Sequence, residues 1–171
     1  MATYFNISGE LTQELLAAGA NTRVSKISLT NTQKVSKCKV DLYIEKKLTG
    51  KFYLLKGVEL PIGATLIYNN IRFSNSAGEF GLYIKLTDGA TFTLTGAIDP
   101  TGTNTTVPGS GTAFLSELSV GDEILVSSET RTISSITSDT AAVVTAAWGS
   151  DLANDTTPDC NPTALVDVIL Y

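Results

Sequence analysis

Residues 39–68 read KVDLYIEKKLTGKFYLLKGVELPIGATLIY, and the alternation inside this stretch decides the fold. Val40, Leu42 and Ile44 are spaced two apart, which puts them on one face of a pleated strand. A second run, Phe52-Tyr53-Leu54-Leu55, follows a basic turn containing Gly50, so the two runs predict a hairpin with one face against a core. Pro61 cannot donate to a ladder and Gly63 can take positive φ, so 60–65 predicts a corner turn feeding another strand at 65–68. No residue here carries catalytic chemistry.

The rest of the composition agrees with that start. Of 171 residues 43% are hydrophobic, enough for an ordinary core, and 17% are charged. Thr, Ser, Gly and Asn are abundant and no long helical period interrupts them, which favours an all-β chain over an α/β one. Outward from the hairpin, strands are expected at 2–7, 23–30, 71–73 and 80–86, with a polar NSAG turn at 75–78. Residues 10–18 allow two readings. Leu11, Leu15 and Leu16 fall on helical spacing between Ser8 and Gly19, yet the segment also reads as extended chain before a loop.

From residue 90 the character of the sequence changes. Thr and Gly dominate, lysine vanishes, and short strands are expected at 103–107, 123–126, 130–136 and 142–145, with a tight turn at 127–129. The charge changes as well: residues 1–90 carry eleven Lys or Arg against seven acids (+4), and residues 91–171 carry one Arg against ten acids (−9). Such opposite blocks can steer identical subunits head to tail, or hold the basic part to an acidic neighbour. They can also simply mark two segments of different composition.

The last residues, ALVDVILY at 164–171, alternate like KVDLYI and need a sheet to bury them. We therefore expect an antiparallel β-sandwich made of residues 1–89 and 163–171, interrupted by a second small barrel or sandwich at 90–162. Asp88-Gly89 and Asn161-Pro162 would be the ends of the interrupted loop. In that arrangement the sandwich anchors the protein and the acidic module projects outward. The alternative is two domains in tandem.

The order of residues in VPGSGTAFLSELSVGDEI (107–124) and ETRTISSITSDTA (129–141) resembles a β module that recurs in structural proteins of tailed bacteriophages, in which a Gly-Thr-x-Phe turn precedes a Val-Gly-Asp corner. There Gly109 and Gly111 would supply tight turns, Phe114 a core plug, and Gly121-Asp122 the bend into the next strand. KISLTNT at 26–32, VDLYI and LLKGVELPIGATL are similar to small β-sandwich proteins of phage particles, especially those of large marine and cyanobacterial phages. The resemblance implies a non-enzymatic, multicopy virion component, on the capsid as a decoration protein or at the neck, tail or fibres. Its partners would be other virion proteins and copies of itself, without nucleic acid or membrane. It would be made in the host bacterial cytoplasm, and neither likeness brings catalytic residues with it.

No histidine exists, so no His-based triad or His metal ligand can form. Cys38 and Cys160 could meet in space or stand as two separate thiols. Asp122 and Glu123 are adjacent and would point to opposite strand faces, unsuited to paired acid–base work. Asp151, Asp155 and Asp159 with Asn154 and Asn161 are oxygen-rich but lack the Gly and Glu of a hand-type calcium loop. Trp148 with Tyr4, Tyr53, Tyr68 and Tyr83 could form a sugar-stacking platform for a host surface glycan, the alternative function of a fibre-type receptor-binding module. No catalytic, cofactor or metal residue is assigned. No N-terminal signal or apolar membrane stretch is visible, so a soluble cytoplasmic product is expected.

Overall fold

The alternating residues at 39–46 form β4 (Cys38–Lys46) in the computed structural model, which describes residues 1–46, 49–75, 80–152 and 158–171. β4 pairs with β5 (Gly50–Leu60) on one side and β7 (Gly81–Thr87) on the other. β2 (Gln13–Leu16) completes a four-stranded sheet in the order β2-β7-β4-β5. A second sheet runs β1 (Thr3–Ser8), β15 (Leu165–Leu170), β3 (Arg23–Asn31), β6 (Thr65–Ser74), in that spatial order. Every pairing in both sheets is antiparallel, and the chain is nearly all β, as the sequence predicts.

The two sheets enclose one apolar cluster, so they form a sandwich. Val40, Leu42, Leu82, Ile84 and Leu86 face Ile27, Leu29, Val166, Val168 and Leu170, all at 2% exposure or less. The last strand is central to this layer: Val168 sits opposite Phe5 on one side and Leu29 on the other. Corner polar groups are satisfied within the layer. Buried Asn31 donates from Nδ2 to the Leu60 carbonyl at 3.0 Å and accepts the Gln33 amide at 3.0 Å. The predicted corner is present, with Ala64 N bonded to Pro61 O at 3.1 Å and Gly63 at φ 67°.

The chain divides into two compact units, one of residues Met1–Gln33, Lys37–Asp88 and Ala164–Tyr171, the other of Lys34–Ser36 and Gly89–Thr163. The second unit is a seven-stranded antiparallel sheet built from β8 (Phe92–Thr93), β9 (Ala97–Ile98), β10 (Thr106–Ser110), β11 (Glu123–Val126), β12 (Glu129–Ser138), β13 (Ala141–Val144) and β14 (Asp159–Asn161). Its order is β8-β14-β11-β12-β13-β10-β9. Ile98 and Cys160 lie near opposite ends of that order yet share one buried cluster with Phe114, Leu118, Ile124, Ile133 and Trp148, so the sheet coils around its own core. A single-turn helix, α1 (Phe114–Glu117), inserts Phe114 into it.

Several expectations need correction. Of the two readings open for residues 10–18, the extended one holds at residues 13–16, because pairing with β7 buries Leu15 and Leu16 against the sandwich core. The strand expected at 103–107 lies at Thr106–Ser110, running through Pro108 and Gly109. Proline is tolerated because β10 changes partner there, from β13 up to Pro108 to β9 from Gly109. Gly109 is a strand residue and not a turn; a Cβ on it would meet Thr112 Oγ1 and the Phe114 ring. The strands expected separately at 65–68 and 71–73 are one strand, β6, kinked at Asn70 with φ 61°. The central part of the basic turn (47 and 48) and most of the NSAG turn lie outside the described residues.

Candidate attachment surfaces

The outer faces of the sandwich show what the first unit offers to a partner. On the β1-β15-β3-β6 sheet, Tyr4, Ile169, Ser28 and Ile67 stand directly opposite one another across all four strands. Tyr4 is 70% exposed and Ile67 54%. Beside this apolar row runs a polar one, in which Asn6 Nδ2 donates to Asp167 Oδ1 at 2.6 Å and the Thr30 and Thr65 hydroxyls meet at 2.9 Å. Residues two apart on each strand share this face, and the cross-strand register sorts them into a mainly apolar row and a hydrogen-bonded one.

The outer face of the β2-β7-β4-β5 sheet carries a tyrosine row. Tyr83, Tyr43 and Tyr53 are consecutive cross-strand partners. Tyr43 and Tyr83 stack with centroids 5.7 Å apart, and Tyr53 tilts against Tyr43 at 5.4 Å. Lys51 places its ammonium 4.5 Å from the Tyr43 ring centre and donates to the Tyr43 hydroxyl at 3.2 Å, while Lys56 lies over Tyr53 at 4.4 Å. The hydrogen bond to Tyr43 raises the Lys51 pKa above the usual lysine value. Tyr83 donates to Glu14 Oε1 at 3.2 Å, and desolvation, then the Glu14 charge, push its phenol pKa up. Thr12, Tyr43, Glu45, Lys51 and Tyr83 bound a recess of about 470 Å³. The row covers itself, which explains why Tyr43 is 1% exposed although it faces outward.

A second recess, of about 410 Å³, opens where β3 and β6 slip register, and is lined by Arg23, Val24, Ser25, Ile71, Arg72, Phe73, Ser74 and Tyr171. In the second unit, Leu115 and Val120 are exposed large apolar residues at 50% and 57%. Lys34 Nζ donates to the Leu115 and Leu118 carbonyls, both at 3.1 Å, and Asp139 Oδ1 accepts the Leu115 amide at 3.0 Å.

The residues singled out in the sequence fall as follows. The sugar-stacking platform is not assembled: Trp148 is 2% exposed in the core of the second unit, while Tyr4, Tyr53, Tyr68 and Tyr83 belong to the first unit. Arg131 covers the Trp148 ring at 5.2 Å, held by bonds to the Ala147 carbonyl at 2.9 Å and Glu129 Oε2 at 2.6 Å. Of the two readings open for Trp148, surface platform or core, the core one holds, in keeping with the apolar run Ala141-Ala142-Val143-Val144 that precedes it. Cys38 and Cys160 are both free and buried, in different units. Burial and then Asp88 push Cys38 up to about 11, and burial with the acids Asp122, Glu117 and Glu123 pushes Cys160 up further.

Asp122 is fully buried and works as a clamp, accepting the Thr163 amide on Oδ1 at 2.9 Å and the Ser119 amide on Oδ2 at 2.7 Å. In the first unit Asp88 Oδ1 accepts the Ala164 amide at 2.7 Å. Sequence reading missed both roles, since a turn aspartate does not announce a distant amide. Of the oxygen-rich set, Asp159 and Asn161 lie on β14 and accept from Thr93 at 2.8 Å and Thr91 at 2.6 Å, and Asn154 and Asp155 lie outside the described residues. No group of three or more His, Cys, Asp or Glu suited to a metal occurs among the described residues. No protein family, characterised protein or solved structure matches the chain.

Proposed function

We propose that this chain is a non-enzymatic structural component of a tailed-phage particle, a multicopy accessory protein of the capsid or of the neck, tail or fibres, acting by self-association and attachment. The observation that carries the reading is the row Tyr4, Ile169, Ser28, Ile67, which crosses one sandwich face with exposed apolar side chains on both edge strands, Tyr4 and Ile67, and the half-buried Ile169 between them. Large apolar side chains left exposed beside satisfied polar groups are characteristic of protein–protein contact. The resemblance of 107–124 and 129–141 to phage particle modules supplies the class of partner. The units differ in charge, ten basic against eight acidic residues in the first and two against nine in the second, so attachment and mutual steering can be served by different surfaces.

Mass spectrometry of purified particles tests this proposal. The protein should co-purify at many copies per particle, and Tyr4→Ser with Ile67→Ser should lower its occupancy while leaving it folded. Absence from particles would end the virion reading. A glycan-binding reading draws on the recess at Thr12, Tyr43, Glu45, Lys51 and Tyr83, where hydroxyls and charges surround an aromatic floor. Glycan-array binding lost in Tyr83→Ala would favour it.

A further inference from the structure

At residues 70–72 of β6 the ladder to β3 is deliberately irregular. Lys26 faces Asn69 but Val24 faces Phe73, so three residues of β6 stand opposite Ser25 alone. Asn70 absorbs the extra length in the left-handed region at φ 61°. Bulges of this kind re-aim side chains, and this one borders the recess of about 410 Å³. The core residues Val24 and Ile71 line it together with Phe73, and Arg23 and Arg72 are among its lining residues.

The two arginines differ from several other cations of the first unit. Lys26, Lys51 and Lys56 each lie over a ring, and Lys37 pairs with Glu59 at 2.9 Å. The side chains of Arg23 and Arg72 have no hydrogen bond, ion pair or ring contact among the described residues. Two arginines with unpaired side chains, lining one recess with Val24, Ile71 and Phe73, suit carboxylate groups carried on an apolar body.

The second unit carries the complementary chemistry. Leu115 and Val120 are exposed on the stretch that contains α1, with Glu117 in the helix accepting from the Thr95 amide and hydroxyl, and exposed Asp139 accepting the Leu115 amide on one oxygen. That unit has nine acidic residues against two basic ones, and Lys34, the cation at this stretch, is turned onto the α1 carbonyls. We infer that the Arg23–Arg72 recess of one copy receives the Leu115–Val120 acidic patch of a second copy. Each copy then offers one recess and one patch, so the contact is heterologous and copies add head to tail, into a ring or a filament. The inference rests on the self-association reading and gives it a geometry.

Sedimentation velocity of the full chain over a concentration series tests it. Wild-type protein should associate, and more weakly as salt rises. Arg23→Glu with Arg72→Glu, and separately Leu115→Ser with Val120→Ser, should each weaken association at least tenfold. Mixing these two variants should restore one intact contact and yield a discrete heterodimer that does not grow. Arg23→Gln with Arg72→Gln, showing an intermediate loss, guards against misfolding of the charge-reversed variant. Association that persists in both variants, or a mixture that stays monomeric, overturns the inference and leaves self-association through another face standing. A wild-type chain that is monomeric at every concentration and salt overturns self-association itself.

Discussion

Deleting residues 164–171 removes β15 from the middle of a sheet, and its cost can be worked from burial. Val166, Val168 and Leu170 are exposed by 1%, 0% and 2%, and β1 and β3 both lose their ladder partner. At about 1.5–3 kcal/mol per buried aliphatic side chain, these three contribute about 5–9 kcal/mol, which is comparable with the whole ~5–15 kcal/mol of a small domain. The first unit should therefore fail to fold, although residues 1–88 are all present. The second unit, whose core cluster shares no residue with the sandwich core, should persist. The chain supplies its own probes: all six tyrosines lie in the first unit and the one tryptophan, Trp148, in the second. Denaturant titration followed by tyrosine and by tryptophan emission should show the tyrosine transition gone and the tryptophan transition retained. A tyrosine transition at an unchanged midpoint would refute the reasoning and make β15 dispensable.

Three further outcomes follow from particular residues. The β11–β12 hairpin turns through Ser127 and Ser128 at φ 48° and 69°, so Ser127→Asn with Ser128→Gly should stabilise the second unit by about 1 kcal/mol, read as a higher midpoint of the Trp148 transition. Arg131→Ala removes the cover over Trp148 and a partly buried pairing with Glu129, and should cost about 1–2 kcal/mol in that same transition, with a red shift of emission. The thiols should resist a disulfide reagent in the folded chain and react on unfolding. Since Cys38 is raised from near 9 to about 11, the stability it confers is complete below about pH 9 and declines as pH climbs toward 11, by about 1.4 kcal/mol per pH unit. Rapid labelling of native protein would contradict the buried placement.

What was legible in the sequence was alternation. Val40 and Leu42 in β4 and Val166, Val168 and Leu170 in β15 are buried because a pleated strand against a core demands that period. Tyr43 shows the limit, since it faces outward and is buried by its neighbours Tyr53, Tyr83 and Lys51, which approach it only after three strands align. β2 was ambiguous because Leu11, Leu15 and Leu16 fit a helical period, and its strand state comes from a partner about seventy residues away, β7. The attachment surfaces were least legible. Tyr4 and Ile67, or Arg23 and Arg72, become neighbours through register alone, and a bulge at Asn70 cannot be anticipated from its sequence.

An electron cryo-microscopy map of the intact particle tests the central proposal most directly. The account predicts repeated density that fits the sandwich with the Tyr4–Ile67 face against a particle protein, and with Leu115 of one copy at the Arg23–Arg72 recess of the next. Particles whose every surface and tail density is accounted for by other chains would contradict it.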